Sequence, residues 1–251
     1  MRWLNFLFLI VLAGCMQPQK PVWDEVPTAE QLIGQISVAS GSFSSLDGAA
    51  SVALTTGDKF FSSEQFLLLQ RPDRLRADVL TGFGQLVLQM ASDGDLLSVF
   101  LNTTVPGKFF YGPASYENIF RFVRVPLMTT DLLSLLLYDP PLIDYQDSSV
   151  ELVAGGISLV LANDDDRQEL LFNGRLQLIG CDYYRMGDEY LSVEYEKFSK
   201  ESSFPQLIKI AMPLEKTRIK VTFSELQVNE RIDLAQFQLH RPDNAIIERL
   251  P

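Results

Sequence analysis

Apolar and polar positions along this chain recur with two periods. Thr28-Ala29-Glu30-Gln31 has the form of a helix capping box, and Leu32, Ile33, Ile36, Ala39 and Phe43 follow at helical spacing. That pattern predicts one helix over 28–45. Strand signals come next, over 47–56, 59–70, 74–80, 85–92 and 95–102. The links between them are short turn-formers: Gly57-Asp58, Arg71-Pro72-Asp73, Thr81-Gly82-Phe83-Gly84 and Asp93-Gly94. Such links favour antiparallel hairpins over crossover units. Alternation is clean in 85–90, where Leu86, Leu88 and Met90 oppose Gln85, Val87 and Gln89.

The period then changes. Residues 115–123 and 129–138 read as helices on either side of Val125-Pro126, and Asp139-Pro140-Pro141 ends the second. That second helix is apolar nearly all round, with Leu132, Leu133, Leu135, Leu136 and Leu137, so both its sides should be covered. Strands resume after 149, with hairpin turns at Gly155-Gly156, 163–166, Asn173-Gly174 and Gly187-Asp188. Late strands alternate well: Leu191, Val193 and Tyr195 oppose Ser192, Glu194 and Glu196, and Ile219, Val221 and Phe223 oppose Arg218, Lys220 and Thr222. The expected fold class is mainly β with some α, one domain over 28–251, with about ten or eleven antiparallel strands. Three helices are too few to layer a flat sheet of that size. A sheet curled into a half-barrel, with a helical lid in its concave face, would bury the apolar side.

The amino terminus reads as an address. Arg2 precedes an almost wholly apolar run over 3–13, of signal-peptide length and too short to span a membrane. The run ends in Leu12-Ala13-Gly14-Cys15, which resembles the bacterial lipobox. The resemblance implies a signal peptide over 1–14 and lipid attachment at Cys15. Residues 15–27, rich in Pro, would form a tether. Acyl chains on Cys15 would hold the protein on a membrane, at about 0.8 kcal/mol per buried methylene. Asp after the lipidated Cys is the usual inner-membrane retention signal. Here Met16 follows, so the resemblance implies the periplasmic face of the outer membrane.

Composition narrows the chemistry. Of 251 residues, 47% are apolar, enough for a substantial core. Lys and Arg number 21 against 32 Asp and Glu, a net charge of −11. That balance argues against nucleic acid as a partner. One His and two Cys are too few for a structural zinc site. With Cys15 lipidated, Cys181 would be the only free thiol, expected as a small buried residue. No Gly-x-Ser-x-Gly elbow occurs, and Gly82-Phe83-Gly84 lacks the third glycine of a dinucleotide loop. Asp164-Asp165-Asp166 lacks the spacing and glycine of an EF-hand and reads as an acidic hairpin turn. His240 is expected at a strand edge. The expectation is therefore no enzyme and no cofactor, metal or nucleotide.

The chain resembles the LolA/LolB lipoprotein-carrier superfamily, and more closely its lipid-anchored LolB-like members. The matching residues are the turn Leu80-Thr81-Gly82-Phe83-Gly84, the stretch Phe122-Val123-Arg124-Val125-Pro126-Leu127 leading to Asp139-Pro140-Pro141, and the late strands over 190–195, 207–213 and 218–227. The resemblance implies a curved antiparallel half-barrel closed by helices around an acyl-chain cavity. It places Phe83 where LolB-like proteins expose an apolar residue to the membrane. The turn departs from the Asn-Pro-Leu-Gly usual there, and the later strands carry extra length, which leaves the cargo open between lipoproteins and other lipids. The expected cavity lining is Leu86, Leu88, Leu191, Val193, Ile210 and Val221 on the sheet, with Leu133, Leu136 and Leu137 on the lid. The alternative for these residues is an ordinary dry core. The expected partners are lipoprotein acyl chains or other lipids, a soluble periplasmic LolA-like donor and the inner leaflet of the outer membrane, with the chain acting as a monomer. The rival function is an anchored assembly or sensor module that works by protein–protein contact without transfer.

Overall fold

The structure, a computed structural model, describes residues 25–251. The signal peptide, Cys15 and the tether up to residue 24 lie outside the described residues. Helix α1 (Ala29–Gly41) starts where its sequence predicts. The Thr28 hydroxyl accepts from the Gln31 N–H, and the Thr28 N–H donates to the Gln31 side chain at 2.9 Å. It ends before 45 because the Ser42 N–H closes back on Ala39 O, releasing Phe43 to pack edge-on against Tyr138 and Phe204.

Six strands follow: β1 (Ser45–Thr56), β2 (Lys59–Gln70), β3 (Arg74–Leu80), β4 (Leu86–Ser92), β5 (Leu96–Leu101) and β6 (Lys108–Pro113). Helices α2 (Tyr116–Val123) and α3 (Thr129–Leu136) interrupt them. The second run is β7 (Asp147–Val153), β8 (Gly156–Ala162), β9 (Asp166–Asn173), β10 (Leu178–Arg185), β11 (Asp188–Phe198), β12 (Pro205–Met212) and β13 (Thr217–Val228). A 3-10 turn at Leu234–Phe237 leads to the last strand, β14 (Ile246–Arg249).

Both runs are up-and-down meanders. Pairing of β1 with β13, from Leu46↔Val228 to Thr56↔Thr217, fuses them into one sheet of order β14-β6-β5-β4-β3-β2-β1-β13-β12-β11-β10-β9-β8-β7. All pairs are antiparallel except β14 with β6. The sheet is curved and unclosed, with β14 and β7 as its edges: a half-barrel. The two runs approach closely at their seam, where a Cβ on Gly48 would lie 2.7 Å from Glu225 O.

Fourteen strands exceed the ten or eleven expected. Strand β6 escapes a period-2 reading because Phe109 and Phe110 point to opposite faces and are both buried. Strand β14 has only four residues. The chain reaches it through a strap over the outer face. There Arg76 donates to Gln236 O, Gln238 donates to Asp93, and Ile232 and Phe237 are buried. His240 lies in this strap, exposed and outside any strand, which corrects the strand-edge expectation.

The inward rows of the strands and the inner sides of the three helices share one apolar core. In β13, Ile219, Val221 and Phe223 are buried while Arg218 and Lys220 face water, as the alternation predicts.

Candidate functional site

The helices treat the two halves of the concave face differently. Over β8–β11 they seal it. Tyr138 donates to Leu178 O at 2.9 Å, Tyr195 to Leu135 O at 3.2 Å and Tyr183 to Pro141 O at 2.7 Å. Buried Gln168 accepts from the Ile143 N–H and donates to Pro141 O and to the Cys181 sulfur. These bonds fasten the end of α3 and the segment after it to the sheet. Burial pushes the Tyr138, Tyr183 and Tyr195 hydroxyls well above the usual phenol range. It pushes the Cys181 thiol up to about 12, so this residue is an inert core group.

Over β1–β4, β12 and β13 the same helices stand off the sheet. A cavity of about 450 Å³ lies between α2, the α2–α3 link and α3 on one side, and the sheet on the other. That volume falls within the range of ligand sites, roughly 300–1,000 Å³. Its wall follows the inward residues of β2 and β3. Leu69 and Leu75 sit at the closed end, Leu67 and Ala77 above them, then Gln65 and Val79, and Phe61 outermost. Burial falls along this row. Leu69, Leu75, Leu67 and Ala77 are buried, Gln65, Ser63 and Val79 are half-buried, and Phe61 is exposed. The cavity therefore opens toward the β1–β2 and β3–β4 turns. From Phe61 to Leu69 the wall runs eight residues along β2, about 26 Å at roughly 3.3 Å each.

The wall offers little for polar recognition. Ser63 and Gln65 bond each other at 3.0 Å. The Arg76 guanidinium turns to the outer face, where it pairs with Asp78 at 3.0 Å. Arg124 caps α2 in a left-handed conformation and is exposed at the margin. A second cavity of about 400 Å³ lies at the opposite end under α1, but Gln35, Arg175, Gln177, Ser202 and Asn229 contribute to its lining. It is the poorer match for hydrocarbon.

Of the residues nominated from sequence, Leu88, Leu133, Leu136, Ile210 and Val221 line the first cavity. Leu137, Leu191 and Val193 lie in the sealed half of the core, beneath the tyrosine bonds. Leu86 pairs with Leu80 at the mouth of the β3–β4 turn and belongs to neither. The sequence reading passed over Leu54, Phe61, Leu67 and Ala77 on the wall, and Phe122 and Val125 on the lid. On β2 the inward row 61-63-65-67-69 was concealed because Phe60, Phe66 and Leu68 make the outward row apolar too.

Phe83 is at the apex of the β3–β4 turn and 97% exposed. Thr81 builds that apex. Its backbone bonds Gln85 O and accepts from the Gly84 N–H, and its hydroxyl accepts from the Phe83 and Gln85 N–H groups. Gly84 takes φ +77°, which a side chain there would resist. The turn is thus fixed by its own bonds, with Phe83 projecting unpacked. Among the described residues no cluster of His, Cys, Asp or Glu could hold a metal ion, and no helix is long and apolar enough to cross a membrane.

No family model matches the sequence, and no curated protein matches it. Solved structures do match in shape. A DUF1329 family protein from Desulfovibrio piger superposes with a TM-score of 0.55 at 13% identity, over 84% of this chain and 95% of its own. A LolA superfamily protein from Nitrosomonas europaea superposes with a TM-score of 0.51 at 13% identity, over 84% of this chain and 97% of its own. The expected architecture and the observed one thus agree: the chain has the LolA/LolB-like half-barrel fold.

Proposed function

We propose that this protein is a lipid-anchored carrier that takes acyl chains into the cavity under α2 and α3 and delivers them to a membrane. The observation that carries the reading is the cavity itself: apolar over most of its wall, closed at one end and open at the other. An acyl chain offers no hydrogen bonds and asks only for area. One leaflet of a bilayer is about 15 Å of hydrocarbon, half of the roughly 30 Å core. The 26 Å wall accepts a tail of that length.

In this reading Cys15 is the site of lipid attachment, and the molecule sits on the periplasmic face of the outer membrane. Cargo arrives as the acyl chains of a lipoprotein or another lipid from a soluble LolA-like donor. Lid residues Leu133 and Leu136 face wall residues Leu88, Ile210 and Val221 across the cavity, and cargo enters as the lid lifts. Phe83, at the open end, meets the bilayer as the chains leave. Exchange in both directions requires affinities near those of donor and membrane, since a site that favours the bound state too strongly shifts everything to it. An exposed outer wall and a half-covered mouth hold that affinity down.

The test is mass spectrometry of lipids that remain with the purified protein, followed by handover of a radiolabelled lipoprotein or fatty acid to liposomes. Retained lipid and its transfer support the carrier. A protein that comes out lipid-free and neither binds nor transfers acyl chains overturns it, in favour of the contact module.

A further inference from the structure

Strand direction puts the loops of the sheet at two ends, and the two ends differ in chemistry. At the open end of the cavity stand the β5–β6, β3–β4, β1–β2, β12–β13, β10–β11 and β8–β9 loops, in that order across the sheet. Four of the first five carry an unpacked apolar side chain, Val105 (102% exposed), Phe83, Leu214 (64%) and Met186 (80%), and exposed Phe60 (67%) stands on β2 two residues past the β1–β2 turn. Turns at the other end carry Arg71 and Asp73, Asp93 and Asp95, Arg175, Lys200 and Glu201, or Glu230 and Arg231, with only the Ala154-Gly155 turn uncharged.

Charge divides the open end further. Residues 102–107 and 81–85 contain no charged side chain. The next three tips each carry one charge of either sign, Asp58 and Lys59, Glu215 and Lys216, and Arg185 and Asp188, and Arg185 bonds across to Asp166 of the sixth loop at 2.9 Å. Five tips with no net charge stand out in a chain of net charge −11. The sixth, Asn163-Asp164-Asp165-Asp166, is strongly acidic. The tips are also tied to their neighbours. Asn102 donates through its backbone to Val87 O and through its side chain to Leu86 O, the Gly57 N–H donates to Lys216 O, and the Met186 N–H donates to Asp165 O. Successive tips lie two strands apart, about 10 Å at roughly 4.8 Å per strand.

We infer that these five tips together form a multi-point contact with a zwitterionic phospholipid bilayer, each placing one side chain into the headgroup boundary. The inference rests on the carrier reading above for the kind of surface met, and it extends that contact from Phe83 to Phe60, Val105, Leu214 and Met186. Single apolar side chains about 10 Å apart make no contiguous patch of the kind a protein partner buries. A fluid surface can receive each one separately. Balanced charges suit a bilayer without net charge, and the acidic sixth tip marks where contact ends, because carboxylates resist leaving water. With the tips in the boundary, Phe61 and Leu54 at the cavity mouth lie within a few residues of lipid. Chains would then pass from wall to leaflet without crossing water.

The test reads depth directly. Full-length protein is reconstituted into phosphatidylcholine vesicles that carry a nitroxide on the acyl chain. An environment-sensitive fluorophore is attached at Phe83→Cys, Val105→Cys, Leu214→Cys or Met186→Cys. Asp164→Cys on the acidic tip and Lys200→Cys at the opposite end serve as controls, with the unsubstituted protein as blank; buried Cys181 takes no label. All six positions are exposed, so the variants keep the wild-type circular dichroism. Quenching at 83, 105, 214 and 186 is expected to exceed that at 164 and 200 several-fold, and to persist at high salt. Quenching at 83 alone, at no position, or equally at 200 overturns the inference. The measurement uses no cargo, so failure of acyl binding and failure of tip contact are separate results.

Discussion

Ala77→Phe separates a real cavity from a packed core. Ala77 is buried on β3 between Leu67 of β2 and Met90 of β4, and it faces the cavity. In a dry, close-packed interior such an enlargement forces strain and costs about 1–3 kcal/mol. Beneath a space of about 450 Å³ the ring instead finds room. Burying a Phe side chain contributes roughly 1.5–3 kcal/mol, so the variant should unfold at the same denaturant concentration as wild type or higher. The same ring occupies space that cargo needs. Its burial free energy equals that of about two to four methylenes at roughly 0.8 kcal/mol each. Displacing that length of chain weakens binding about 10- to 150-fold, at roughly 1.4 kcal/mol per factor of ten. A fluorescent fatty acid titrated against both proteins reads the affinity, and urea unfolding followed by circular dichroism reads the stability. A variant that is destabilised by 2 kcal/mol or more, or that binds the probe as well as wild type, refutes the cavity.

Phe83→Glu should leave the unfolding midpoint unchanged, since the side chain packs on nothing, while slowing delivery to liposomes; equal delivery removes the membrane role of this residue. Leu133→Ala, at a site 1% exposed between lid and sheet, should cost about 2–5 kcal/mol in urea unfolding, and a loss below 1 kcal/mol would mean that α3 is not packed as described. Stability should hold up to about pH 9 and fall between there and about pH 12. Burial raises the Cys181 thiol from 9.0 to about 12, so the unfolded chain gives up this proton first and folding is lost as pH rises, by on the order of 4 kcal/mol from this group; an unfolding free energy that stays flat to pH 12 contradicts it. Lys209→Met removes the cation between Glu194 and Glu196 on the outer face. At that exposure it should change stability by no more than about 1 kcal/mol, with a thermal melt as the check.

Much of the architecture is legible in the sequence because local rules and burial agree there. The capping box at Thr28, the hairpin turns and the alternation of β11 and β13 all encode a one-sided sheet, and the structure realises each. Legibility fails where a strand is apolar on both faces. Strand β6 hides behind Phe109 and Phe110, and the inward row of β2 behind Phe60, Phe66 and Leu68. The site shows the same limit in another form. Leu137 and Leu136 are neighbours of one chemistry, yet the first lies in the sealed core and the second on the cavity wall. What separates them is where Tyr138, Tyr183 and Tyr195 fasten the helical segment to the sheet. Those bonds join residues 40 to 60 positions apart, beyond the reach of any local pattern.

The same fastening gives the lid a hinge. At its C-terminal end α3 is held by Tyr195 on Leu135 O, by Tyr138 on Leu178 O and by the Arg71–Asp139 ion pair at 2.7 Å. Each neutral bond contributes about 1 kcal/mol, and the two tyrosine bonds lie on the sealed side. At the other end of the lid, Asn118 bonds Pro113 O and Pro251 O near the start of α2. Between these two anchors, Phe122, Val123, Val125 and Leu132 rest over the cavity through apolar contact alone. Three of the four are already half-exposed, so lifting this stretch gives up little buried area. In the carrier proposed above, an acyl chain slipped beneath would restore the lost contacts with its own methylenes, so opening and loading would be nearly balanced steps. A lid hinged the other way would have to break the tyrosine bonds first, leaving buried hydroxyls and carbonyls without partners at about 1–3 kcal/mol each. Movement of the α2–α3 link, with the far end of α3 held still, is therefore the low-cost route into the cavity.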